Sequence, residues 1–263
     1  MAEQKFASRP HPDCPLVVAY GLGVDSTAML VEFAARGIRP DLILFADTGG
    51  EKPETYAYLD VIWPFLADVG FPDVIVVRYQ PKWARYATLE EQCLYTRTLP
   101  SLAYGGKSCS LKYKRGPQDK FVRGWLPAQR AWQAGRKVIK AIGYDAGPAD
   151  SRRHRYVEDA EYRYWYPLAS WRYDRDRCKE VIAAAGLPIP IKSACWFCPA
   201  SKKHEIVWLQ EHHPDLLERA LAIERNAKGK LRSVKGLGRS FSWEDYLRQR
   251  DDLPLFRHDD CCD

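Results

Sequence analysis

The sequence predicts an α/β protein, a three-layer α/β/α sandwich around a mainly parallel sheet with a helical C-terminal part. Three observations predict it: short apolar runs alternate with helical patterns between residues 15 and 167, glycine- or aspartate-bearing loops follow those runs, and the pattern turns helical after residue 167. "PLVVAY" reads as the first strand, and Ser26 to Arg36 as the helix after it. "DLILFAD" is the second strand, followed by a helix from Pro53 to about Ala67 in which Pro53 suits the first turn. "DVIVVRY" gives a third strand, and "KVIKAIGY" a fourth after a long basic stretch with helical patterning. "DRDRCKEVIAAAG" and "SKKHEIVWLQEHHPDLLERALAIERN" are helical. Residues 1–263 are therefore read as a single domain, with an α/β core at 15–167 and a helical part at 168–263 that carries a C-x-x-C.

At 263 residues, 46% apolar and 28% charged, the composition is that of an ordinary globular protein able to bury a large core. No apolar run approaches the roughly 20 residues of a membrane span, and "MAEQKFASRPHPDCP" has no apolar signal core, so a cytoplasmic address without a membrane partner is expected. In that reducing compartment the eight cysteines suit thiols, metal ligands or catalytic groups better than disulfides. The net charge of +6 is uneven: residues 101–180 hold 18 Lys and Arg against 9 Asp and Glu, interleaved with Tyr and Trp. That pattern suits polyanions, RNA or DNA among them, with Arg136, Lys137 and Lys140 as candidate phosphate contacts away from the carboxyl end of the fourth strand. A solvated basic face over an aromatic core is the alternative.

"AYGLGVDSTAML" puts a glycine loop between the first strand and its helix, where unpaired N–H groups and the helix dipole favour phosphate. It is neither a Walker A loop, because it has no lysine, nor a dinucleotide fingerprint, because the third glycine is missing. Gly21 and Gly23 allow close backbone approach, while Ser26 and Thr27 offer hydroxyls. Cations must then come from Mg²⁺ or from distant Lys and Arg. A turn capped by Asp25 or Ser26 is the alternative.

"LFADTGGEKPETYAYLD" adds Asp47, Thr48 and two glycines at the end of the second strand. The order G-x-D-S, strand-D-T-G and P-E-T-Y resembles the phosphoadenosine phosphosulfate (PAPS) reductase-like family of the adenine nucleotide alpha-hydrolase, or PP-loop ATP pyrophosphatase, superfamily. "CSLKYKRGP" resembles its C-x-x-x-K-x-x-P element, "IGYDAGPADSRRHR" its G-x-x-x-x-E-S-x-x-R turn and "YPLASW" its Y-P-L-x-x-W strand. Tyr20, Gly21 and Leu22 replace most of the usual S-G-G. The resemblance implies ATP or a related adenosine nucleotide across the strand ends. Gly21, Gly23, Asp25, Ser26 and Thr27 would hold pyrophosphate, Phe45, Asp47 and Thr48 the adenosine side, and Lys112 and Arg153 further oxygens. Asp25, Asp47 and Glu51 are the carboxylates that the resemblance implies for the metal, and each is otherwise a cap or loop residue. Asp25, Ser26, Asp47, Arg152 and Arg155 would be the catalytic set, since guanidinium clamps anionic oxygens well.

"KSACWFCPASKKH" supplies Cys195 and Cys198, and Cys109 stands where cluster-binding members of the family have cysteine. Cys178 or Cys93 would complete the four thiolates of a [4Fe–4S] cluster. Zinc with His204, and plain buried thiols, are the rivals. Cys261 and Cys262 close the chain without the flanking residues of a reductase nucleophile. The resemblance thus favours splitting of ATP to AMP and pyrophosphate, with adenylylation of an acceptor for sulfur transfer or nucleic-acid modification. Relatives serve sulfate assimilation, thiolation and phage-defence loci. A sulfonucleotide (PAPS or adenosine phosphosulfate) reductase and a nucleotide-binding, nucleic-acid-associated accessory protein are the alternatives. A sulfur-donor protein and a second copy of the chain are compatible partners.

Overall fold

The computed structural model describes residues 10–151 and 157–251, which form two compact units. The first comprises residues up to Asp47, Glu51–Arg78 and Lys114–Ser193. Its five strands are β1 (Leu16–Tyr20), β2 (Leu42–Asp47), β3 (Val74–Arg78), β4 (Val138–Ile142) and β5 (Tyr162–Trp165), in the order β3-β2-β1-β4-β5. Every pairing is parallel, with Val17 opposite Leu42 and Leu16 opposite Ile139.

Alternation along the strands decides which layer each side chain enters. Leu16, Val18, Tyr20, Ile43 and Phe45 pack on one face with α1 (Val24–Ala35), α2 (Pro53–Asp68) and α9 (Arg175–Ala184). Val17, Leu42, Leu44 and Ala46 pack on the other, against α5 (Gly116–Gly124) and α6 (Leu126–Gln133). The three-layer α/β/α sandwich is therefore present, and its sheet is wholly parallel. Short helical turns α7 (Pro148–Ser151) and α8 (Pro167–Ser170) complete this unit. The "YPLASW" segment is thus not a strand: β5 lies just before it, and Pro167 opens a helical turn because its fixed φ suits a helix's first position.

The second unit comprises Thr48–Gly50, Tyr79–Tyr113 and residues from Ala194 onward. It holds α3 (Leu89–Thr96), α4 (Ser108–Ser110), α10 (Lys203–His212), α11 (Pro214–Ala227) and α12 (Trp243–Asp251). A π-helical turn, Leu111–Arg115, follows α4. Thr88 and Glu91 form a capping box that starts α3. The carboxylate of Glu224, on α11, accepts from the N–H groups of Leu237, Trp243 and Glu244 and from the Ser242 hydroxyl, fixing the entry to α12. The helical part expected from residue 168 is accordingly divided, since α8 and α9 belong with the sheet. No helix among the described residues is long and apolar enough to cross a membrane.

Among the described residues, the basic excess of the middle third is largely paired. Lys140 points from β4 into the layer beneath and is buried against Asp119 at 2.7 Å, so it is not a surface phosphate contact. Burial lowers its pKa, and Asp119 opposes that shift. Lys137 pairs with Glu158, and Arg123 forms a fork with Glu161. Removing one member of a buried pair strands the other charge. Asp119→Ala should destabilise the protein by about 3–5 kcal/mol, read as a lower urea midpoint, while the surface variant Arg123→Ala should cost under about 1 kcal/mol.

Candidate nucleotide site and thiol cluster

The strand order reverses between β1 and β4, and a ligand crevice in a parallel sheet lies at the carboxyl ends beside such a point. The loop after β1 and the loop after β4 meet there. A Cβ on Gly143 would stand 2.7 Å from the Ser26 Cα and 2.8 Å from its nitrogen, so only glycine lets the two loops close. Gly23 is the N-cap of α1 and no side chain caps that helix, which removes the reading of the loop as an aspartate- or serine-capped turn. Ser26 accepts from the Gly21 N–H and donates to the Gly23 carbonyl, each at 3.2 Å, closing the loop on itself. Leu22, fully buried, takes a left-handed φ of 56°, a strained conformation at a residue between two glycines. Thr27 is buried and bonded to the Tyr20 hydroxyl at 3.0 Å, so it supports the loop from below.

Asp25, in the first turn of α1, meets Asp145 from the loop after β4 and Asp150 from α7. Their ligand oxygens lie within 4.8 Å of one another, the one such trio of His, Cys, Asp or Glu among the described residues. Arg175 of α9 pairs with Asp25 at 2.5 Å. Burial raises the Asp25 pKa, Arg175 pulls it down, and the two neighbouring carboxylates push it up again. The geometry therefore gathers Asp25 with Asp145 and Asp150, not with Asp47 and Glu51. Sequence reasoning missed these two partners, although both lie inside the "IGYDAGPADSRRHR" turn.

Asp47 and Glu51 are held otherwise. Asp47 accepts from Tyr56 at 2.6 Å and from Arg78 at 2.7 Å. Glu51 accepts from Lys114 at 2.8 Å, and its other carboxylate oxygen is buried without a hydrogen bond. Phe45 is buried on the α1 side of the sheet, edge-on to Tyr56, which leaves only its backbone at the strand edge. Lys114 stands three residues before Pro117 and fits the K-x-x-P part of the motif, a spacing that could have found it. Lys112 instead sits among Tyr79, Tyr86 and Tyr113, 4.4–5.3 Å from the ring centres, and donates to Gln92 at 2.7 Å. Arg152, Arg153 and Arg155 lie outside the described residues, as do Cys261 and Cys262.

The second unit gathers thiols. Cys93 and Cys195 are buried in its core, with Cys109 and Cys198 packed against the same cluster. Cys195 and Cys198 share a tight turn closed by an N–H to carbonyl bond at 3.0 Å, and the Thr48 hydroxyl lies 3.2 Å from the Cys195 sulfur. Thr48 therefore serves the thiol region. So do the glycines after it: a Cβ on Gly49 would lie 2.5 Å from Thr88, and one on Gly50 2.6 Å from Phe197. Burial pushes the Cys93 thiol up to about 12, with Cys109 and Glu90 adding to the shift. Cys178 belongs elsewhere, in the core of the first unit. His204 is exposed on α10. Ligands of one zinc ion crowd together, whereas thiolates on different irons of a cluster stand further apart.

Gly143→Ala should force the two loops apart without touching the hydrophobic core. The expected result is at least a tenfold loss of adenosine nucleotide affinity by calorimetry, about 1.4 kcal/mol, with the fold retained by circular dichroism.

No family model matches the chain, and no curated protein matches it. Among solved structures it is similar to the U34-tRNA thiolase NcsA from Methanococcus maripaludis with its [4Fe-4S] cluster, at 13% identity and a TM-score of 0.45, over 94% of this chain and 77% of that one.

Proposed function

We propose that the chain is a PP-loop ATP pyrophosphatase of the PAPS reductase-like kind, which splits ATP to AMP and pyrophosphate and adenylylates an acceptor for sulfur transfer or nucleic-acid modification. The observation that carries this reading is the trio of Asp25, Asp145 and Asp150 at the strand-order reversal, beside an uncapped helix entrance. Three carboxylates whose oxygens converge within 4.8 Å in a half-buried place form an oxygen donor set of the kind a divalent cation takes. These three residues would hold Mg²⁺, which when bound supplies the charge neutralisation that the lysine-free loop lacks. The first-turn N–H groups of α1 present donors to the phosphates of the leaving pyrophosphate. Arg175 orients Asp25, and Lys114 brings a further cation beside Glu51, after β2. Catalysis by this set is positioning plus electrostatics, and it requires no covalent side-chain nucleophile.

In the second unit the donor chemistry suits iron–sulfur ligation better than zinc. Four thiols border one apolar core, and His204 is exposed on α10. Cys93, Cys109, Cys195 and Cys198 would hold a [4Fe–4S] cluster, which when bound supplies one-electron chemistry, and Cys93 takes the place that Cys178 was expected to fill. Burial of Cys93 keeps its thiol protonated until a metal displaces the proton.

Two experiments test these halves separately. With ATP and Mg²⁺ the products should be AMP and pyrophosphate, and Asp25→Ala or Asp145→Ala should slow their release by at least ~10²-fold, the scale of a lost charge stabiliser. ADP and phosphate as main products would exclude the alpha-hydrolase reading. Protein purified without oxygen should be brown, with the colour lost in Cys93→Ser and Cys195→Ser and kept in Cys178→Ser. Stoichiometric zinc in colourless protein would assign the thiols to the rival metal.

A further inference from the structure

At the end of the sheet opposite the nucleotide loops, a groove of about 760 Å³ runs across the amino ends of β1 to β4. Its walls come from the segments that enter those strands and from α6. Arg39 precedes β2, Arg136 precedes β4, and Arg130 stands on α6, all three exposed. Trp125, the half-buried N-cap of α6, and Phe71, before β3, supply aromatic surface. Arg130 and Arg136 make no ion pair among the described residues, whereas most cations around them in the chain are paired.

The composition of the rim selects the kind of ligand. Pro12, Pro15, Pro40, Pro72 and Pro127 line it, and proline has no N–H. An enclosed phosphate pocket uses convergent backbone donors; here the donors are permanently charged, exposed guanidiniums. Two carboxylates also line the groove. Asp41 is committed to the Leu16 N–H at 2.7 Å, and Asp13 is exposed at the outer segment. Rigid walls, exposed guanidiniums and an aromatic surface are what a single nucleic-acid strand uses, with phosphates on the cations and a base on the ring.

We propose that this groove binds single-stranded nucleic acid, with phosphates on Arg39, Arg130 and Arg136 and a base stacked on Trp125. It is a holding site, set apart from the nucleotide loops by the length of the strands, and it does not rest on the proposed ATP chemistry. The test is fluorescence anisotropy with a labelled oligonucleotide of about 16 nucleotides, the upper end of one binding fold's site size, as RNA and as DNA. Affinity should fall steeply with salt. The exposed double variant Arg130→Ala/Arg136→Ala should bind at least ~10-fold more weakly, with the slope of log affinity against log salt reduced by about 1.4, or 0.7 for each lost phosphate contact. Trp125→Ala should weaken binding about tenfold and Trp125→Phe restore most of it, with thermal melts showing both variants folded. The rate of AMP release without acceptor should be the same in the double variant as in the parent. Unchanged binding in the double variant, or no binding at low salt, overturns the proposal. Displacement of the strand by AMP or inorganic phosphate as readily as by unlabelled oligonucleotide overturns it too, and makes the groove a small-anion site.

Discussion

Because β1 has β2 on one side and β4 on the other, the chain leaves the middle of the sheet in two directions, and the loops after β1 and β4 are neighbours with nothing of their own strand order to cover them. Everything in the candidate nucleotide site depends on how closely those two loops can stand. Gly143 sets that distance, since any side chain would enter the backbone of Ser26. The approach then brings Asp145 and Asp150 to Asp25. The glycine loop itself supplies no cation, so the electrostatic character of the site comes from its neighbour after β4. A strand order without the reversal would leave Asp25 as an ordinary acidic residue in a helix's first turn, favourable to the dipole and without further chemistry.

Three of the acidic residues at this edge have a definite counter-charge. Arg175 meets Asp25, Arg78 meets Asp47 and Lys114 meets Glu51. The consequences differ with burial. The Asp47 side chain is almost wholly enclosed and bonded on both oxygens, which makes it a fixed anchor for the end of β2. Glu51 is equally enclosed but leaves one oxygen unbonded, a polar atom whose burial costs free energy until a donor reaches it. Burial opposes the ionisation of Asp25, Arg175 favours it, and the two neighbouring carboxylates add to the opposition.

How much of this was legible follows from the range of each signal. The sheet could be read because "LVVAY" and "LILFAD" are apolar runs bounded by turn residues, and fully buried parallel strands need no more than that. Asp25 and Ser26 could be read because glycine, aspartate and serine follow a strand within a few residues. The partners of Asp25 could not, since no local periodicity links Asp145 and Asp150 to α1; only strand order does. β5 was missed because "YRYW" carries little aliphatic signal, and Pro167 drew attention to the wrong segment. Lys112 and Lys114 fall in one short motif, and only the side-chain environments separate them, one caged by tyrosines and one paired with Glu51. Lys140 looked like surface charge because Asp119, its partner, lies in a different element.

The cysteines show the same limit from the other side. Cys195 and Cys198 are legible as a pair because a tight turn makes their spacing meaningful, and Cys109 because it sits in a recognisable element. Cys93 and Cys178 look alike in sequence: each is in a helix, and burial pushes each thiol up to about 12. What distinguishes them is the core each enters. Cys178 packs with α1 and the sheet, while Cys93 packs with Cys195, Phe197 and Tyr113. The glycines of "DTGG" sharpen the point. They resemble a phosphate loop, but their missing side chains make room for Thr88 and Phe197, so they serve packing around the thiols. A motif at the end of a strand thus divides its work: Asp47 closes the sheet edge, while Thr48, Gly49 and Gly50 belong to the unit that carries the cysteines.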